Sequence, residues 1–157
     1  MCTSFLGELM LGQHQFGTST IVSRTSLTSP TTDTVKAALY LASATYNAST
    51  TAYSATGEVS GTDYTAGGVT ATNATAPTST NASSTAGVGY WTPSASIVYT
   101  TVTLTTAFDT VLIYNSTQSN KAVSVHTFGS QTITAGTFTL TMPSNTTSTA
   151  LIRLSTT

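Results

Sequence analysis

Few side chains in this sequence are equipped for chemistry. The histidines are His14 and His126, and the carboxylates are Glu8, Asp33, Glu58, Asp63 and Asp109. A histidine acting as general base needs a nucleophile within reach and a third group that orients the ring. His126 lies in a run where Val123 and Val125 point to one face, so it falls with Ala122 and Ser124 on the other. That position suits a surface or interface histidine. Glu58 and Asp63 share a glycine-rich stretch and offer oxygens of the kind calcium takes, but the spacing of a calcium loop is missing. Hydrogen bonding within the loop is the simpler role, with Asp63 holding the turn before Tyr64. Ala66-Gly67-Gly68 lacks the lysine and following helix of a phosphate loop. Cys2 is the only cysteine, which excludes an intrachain disulfide and a cysteine metal cluster. No catalytic residue, cofactor site or metal site is assigned, and the expectation is a protein that is not an enzyme.

The aromatic side chains are the more informative group. Tyr40, Tyr46, Tyr53, Tyr64, Tyr90, Trp91, Tyr99 and Tyr114 suit sugar-binding platforms, or core anchors and protein contacts, where Tyr and Trp are enriched. The second role is favoured. Phe5, Leu9, Met10, Phe16, Tyr53, Tyr64, Tyr90 and Trp91 are the residues expected at an interface.

The elements that hold them are read from periodicity. Residues 95–155 contain five apolar-alternating runs, at 97–108, 110–115, 122–128, 132–142 and 150–154. Phe138, Leu140 and Met142 alternate with Thr137, Thr139 and Thr141, the pattern of a half-buried strand. Val111-Leu-Ile-Tyr114 is apolar on both faces and belongs in the centre of a sheet. Threonine fits the outer face, since its branched Cβ packs on a pleated surface and its hydroxyl stays wet. Short strands between turn residues point to a mainly β fold, an antiparallel β-sandwich or barrel.

Ahead of that block, residues 4–14 carry apolar side chains at helical spacing, predicting a short amphipathic helix. Residues 18–33 read as an extended arm, and 34–41 as the first strand, with Val35, Ala37, Leu39 and Leu41 inward and Lys36 and Tyr40 outward. Residues 43–68 form a long connection, 69–71 a short strand, and 73–89 a low-complexity flexible excursion or shallow surface flap. The division expected is 1–33, helix and arm, and 34–157, β-sandwich body. Removing 1–33 is then expected to leave a folded body.

Composition sets further bounds. With 157 residues the chain makes one domain. Charged residues are 6%, against about a quarter in ordinary domains, and the net charge is −1. The cations Arg24, Lys36, Lys121 and Arg153 are scattered, so neither a nucleic-acid footprint nor a polybasic membrane segment is present. The apolar stretch near the amino terminus is broken by Gly7 and Glu8, unlike a signal peptide or a membrane-spanning helix. A surface with little self-repulsion favours association.

Several segments carry a family resemblance. They are Thr34-Val-Lys-Ala-Ala-Leu-Tyr40, the stretch from Thr51 through Gly57-Glu58-Val59-Ser60-Gly61 to Gly67-Gly68, Leu112-Ile-Tyr-Asn115, Asn120-Lys-Ala-Val-Ser-Val125, Phe128-Gly-Ser130 and Ala150-Leu-Ile-Arg153. With Ser4-Phe5, Glu8-Leu9 and His14-Gln-Phe16 before them, they resemble small virion structural proteins of tailed bacteriophages. The 18–33 arm is longer than the family's. The resemblance implies a virion component, most plausibly a capsid decoration or cement protein on the major capsid protein lattice. A closed homo-oligomer is expected, with a trimer favoured. The alternatives are a tail, neck or fibre component, or a carbohydrate-binding adsorption module.

Overall fold

The computed structural model of the chain describes residues 1–10, 12–17, 32–80 and 87–156, without the side chains of Leu6 and Met10. Over the described residues it is mainly β, arranged as two antiparallel sheets in a sandwich-like fold. Four strands form the larger sheet: β1 (Val35–Leu41), β2 (Val69–Thr70), β5 (Ile97–Asn115) and β6 (Lys121–Leu140), in the order β2-β1-β5-β6. The smaller sheet contains β3 (Thr78–Ser79), β4 (Val88–Trp91) and β7 (Ile152–Ser155), with β4 in the middle. One helix, α1 (Thr3–Met10), precedes them.

The β5–β6 hairpin is the backbone of the fold. The sequence suggests four runs here, and the structure joins them into two strands of 19 and 20 residues. Phe108 and Thr110 are both buried, so the ladder runs on through Asp109, with shifts of register around it. Bulges absorb the extra residues. Thr101 and Ala135 have φ of 54° and 47°, left-handed values that a threonine adopts only under tertiary constraint. Near the turn the hairpin is covered on both faces: Leu112, Ile113, Ala122 and Val123 are each at most 1% exposed.

β1 lies against β5 from Val35↔Asn115 to Leu41↔Phe108. The inward set expected on β1 is right for Val35, Ala37 and Leu39, but Tyr40 is fully buried as well. Its ring lies 3.7 Å from that of Tyr46, and its hydroxyl donates to the Ser54 carbonyl at 2.7 Å. The 43–68 connection therefore covers the face that alternation leaves to solvent. Gly68 marks how closely that connection approaches. At φ +70°, a Cβ there would lie 1.6 Å from the Ala37 carbonyl oxygen.

The helix is shorter than periodicity suggests. Gly12, at φ 69°, takes the left-handed position; its N–H donates to Leu9 O and that of Gln13 to Glu8 O. That pair of bonds is the glycine-terminated Schellman cap, which ends the helix four residues before His14. The described part of the expected 1–33 unit packs into the body. Cys2 and Phe5 are at most 1% exposed and belong to the main hydrophobic cluster. Cys2 N donates to Val123 O and Thr3 N to Ala48 O, both at 2.9 Å. The helix is part of its own chain's core. Residues 18–31 of the arm lie outside the described residues, as do 81–86 of the excursion, which otherwise supplies β3 and leads into β4.

Candidate functional site

The buried polar groups converge on two places. The first fastens the amino-terminal segment to the hairpin turn. His14 Nε2 lies 2.9 Å from Glu8 Oε2, and Lys121 Nζ donates to Glu8 Oε1 at 3.1 Å. On the other side of the ring, Asn115 Nδ2 approaches His14 Nδ1 at 3.2 Å and donates to Asp33 Oδ2 at 2.6 Å. Asn115 Oδ1 accepts from the backbone N–H of Thr117 and Gln118, which fixes the orientation of the amide. Its Nδ2 must therefore donate to Nδ1, so the proton of His14 sits on Nε2 and faces Glu8. Burial would raise the Glu8 carboxyl, but hydrogen bonds from His14 and Lys121 and the Lys121 charge outweigh it and hold the group below its ordinary value. Asp33 also accepts from Gln15 N at 2.7 Å and from the Gln118 side chain at 3.2 Å. Each member is held by hydrogen bonds to the others or to the hairpin turn, and among the described residues no nucleophile is hydrogen-bonded to His14.

The second place is Glu58. Its Oε2 accepts the Tyr53 hydroxyl at 2.6 Å, and its Oε1 accepts the Tyr64 hydroxyl at 2.8 Å and Gly67 N–H at 2.7 Å. The Tyr64 oxygen in turn accepts Leu39 N–H at 3.0 Å. Burial, and with it the nearby carboxylate, pushes both phenols above the ordinary tyrosine range. The Tyr114 hydroxyl donates to Gly67 O and the Tyr99 hydroxyl to Ala37 O. One carboxylate thus staples the 43–68 connection onto β1, in place of the calcium role considered for Glu58 and Asp63. Asp63 is exposed at φ 60° in a turn. Among the described residues no three His, Cys, Asp or Glu side chains gather as a metal ion requires.

Five of the eight expected interface residues come together. Phe5, Leu9, Phe16, Tyr90 and Trp91 border a groove of about 520 Å³ between α1 and the smaller sheet, continued by Ile152 and Leu154. Phe16 packs on Trp91 at a centroid distance of 4.5 Å, and Trp91 Nε1 donates to Thr75 O. Phe5, Phe16 and Trp91 are themselves buried, so they form the floor, while Leu9 and Tyr90 are half-buried at its edge. Tyr53 and Tyr64 lie elsewhere, in the Glu58 staple, and the Met10 side chain is outside the described residues. His126 is half-buried, hydrogen-bonded only to Ser124 Oγ at 3.0 Å among the described residues, and burial lowers its basicity.

Periodicity does not reveal the Asp33–Asn115–His14–Glu8 chain, because its members are up to 107 residues apart in sequence, from Glu8 to Asn115. The signal available is compositional: in a chain with 6% charged residues, each carboxylate needs a reason. Compared with protein-family models, curated protein sequences and solved structures, the chain matches none.

Proposed function

We propose that this chain is a non-enzymatic structural component of a tailed-phage virion, a capsid decoration or cement protein that binds the major capsid protein lattice as a closed homo-oligomer. One observation carries the reading: the segments that bear the family resemblance are spent on scaffold. Glu58 and Gly67-Gly68 close a loop onto β1, Asn115 and Lys121 clasp the amino-terminal segment, and Leu112 and Ile113 fill the core. A binding protein of this kind needs a rigid slab with a nearly neutral surface, and charge at 6% supplies one. Repeated weak contacts on a lattice multiply affinity without any deep cleft.

The test is the content of purified, washed particles by quantitative mass spectrometry. A decoration protein is present in copies on the order of hundreds, and a tail or neck ring protein in about six or twelve. Absence from washed particles removes the reading. The groove beside Tyr90 and Trp91 favours one alternative, carbohydrate binding during adsorption, because aromatic walls stack on sugar rings. A glycan array answers that directly: without hits, the alternative falls.

A further inference from the structure

β6 is the end strand of the larger sheet, and among the described residues only its first part is covered on the outer side. Cys2 N donates to Val123 O, Ala122 N donates to Thr51 O, and Ala52 bridges Lys121. Beyond Val123, β5 is the only described segment that exchanges backbone–backbone hydrogen bonds with the strand. Among the described residues, the outer N–H and C=O groups along the rest of this 20-residue strand therefore have no backbone partner. Behind that row the core is unfinished. Phe128, Ile133 and Phe138 are half-buried; the Phe128 and Phe138 rings lie 5.3 Å apart and reach the buried Phe108 at 5.9 and 5.1 Å.

Natural edge strands block self-pairing with lysines, inward-pointing charges, prolines or bulges. The shifts of register against β5 put bulges into β6, but its open part carries no charge and no proline. From Ala122 to Ile152 the chain contains no Asp, Glu, Lys or Arg, and the first proline is Pro143, past the end of the strand. A neutral edge offers a charged partner nothing to read, whereas two copies of it meet without any like-charge pair. At the other end of the sheet β2 has two residues and gives no comparable edge, so head-to-tail addition lacks a counterpart. From this geometry we infer that β6 of one chain pairs antiparallel with β6 of a second copy between Ser124 and Leu140, across a two-fold axis. The pairing continues the sheet through the dimer and covers Phe128, Ile133 and Phe138. It deepens the assembly role proposed above and rests on that reading for its purpose, though the contact itself is measured without particles.

Sedimentation equilibrium of the full chain between about 1 and 100 μM tests it. The expected result is a mass that rises to that of a dimer. Thr127 and Thr137 are exposed in the single chain, so Thr127→Lys with Thr137→Lys places like charges along both edges without touching the core. The double variant is expected to keep its melting temperature at low concentration and to dimerise at least about tenfold more weakly. Hydrogen exchange on the unaltered chain gives a second reading, independent of any variant: amides within 124–140 gain protection as concentration rises. A monomer throughout, a trimer, a dimer indifferent to the lysines, or edge amides equally protected at every concentration each overturns the pairing. A dimer absent from washed particles instead overturns the virion role and leaves the edge contact standing.

Discussion

Replacing Phe5 by alanine tests whether the amino-terminal helix belongs to the body of this chain. Phe5 is fully buried, with its ring centroid 4.7 Å from that of His14 and 5.9 Å from that of Phe16. A Phe→Ala change at such a site costs about 3–5 kcal/mol, the transfer of the ring plus the cavity left behind. The groove of about 520 Å³ beside it argues for the lower end, because water reaches the vacated space and only part of it remains a void. About 3 kcal/mol corresponds to a fall of roughly 6–12 °C in Tm for a domain of this size. Phe5→Leu keeps most of the volume and is expected to cost less than about 1.5 kcal/mol. Urea unfolding at one fixed protein concentration measures both, followed by the fluorescence of Trp91, the only tryptophan, which packs on Phe16. A loss below about 1 kcal/mol for Phe5→Ala would refute the reasoning and restore a separable amino-terminal arm.

Other perturbations follow from the same contacts. Gly68→Ala forces a Cβ to within 1.6 Å of Ala37 O at φ +70°, so it should destabilise by more than about 2 kcal/mol; a normal melting curve would contradict the close approach. Glu58→Ala strips three donors of their acceptor and should cost about 2–4 kcal/mol in urea, with Tyr53→Phe nearer 1. Since Glu8 is held below the ordinary carboxylate range, its contribution is whole above that range and drains away as pH falls through the lower folded value. Plots of Tm against pH should therefore be flatter below about pH 5 for Glu8→Gln than for the unaltered chain, and parallel curves would count against the clasp. Burial pushes the Cys2 thiol up, so thiol reagents should label it only as fast as the segment around it opens; immediate labelling of the native protein would place Cys2 at the surface.

Local pattern carries most of the strand content and little of its closure. The alternation of Phe138 and Leu140 with Thr137 and Thr139 reports correctly which face is wet, and the doubly apolar Val111–Tyr114 run reports a strand covered on both sides. Alternation is blind to bulges, because an extra residue resets its phase; that is why one strand through Asp109 reads as two. It also misplaces Tyr40, whose covering comes from Tyr46 and Ser54 on a loop rather than from its own strand. Val88–Trp91 escapes as a strand because Gly89 interrupts its pattern, and its pairing partner Ile152–Ser155 lies far along the chain. The candidate site divides in the same way. Aromatic residue type is enough to nominate Phe16, Tyr90 and Trp91, while their meeting around one groove depends on long-range packing. The open side of β6 is written in what the sequence omits, charge, and omissions gain meaning only once strand order is known.

The pairing of β1 with β5 has a consequence for synthesis. Val35 must wait for Asn115, and Cys2 for Val123, before either finds its partner. At about 5–20 residues per second a ribosome takes several seconds to cover that gap. Throughout it, Val35, Ala37 and Leu39 lack the β5 strand they pair with, a period when nascent chains are captured by chaperones or by one another. The stretch that follows supplies Tyr46, Val59 and Tyr64 as early partners for the strand, and the hairpin then completes its pairing.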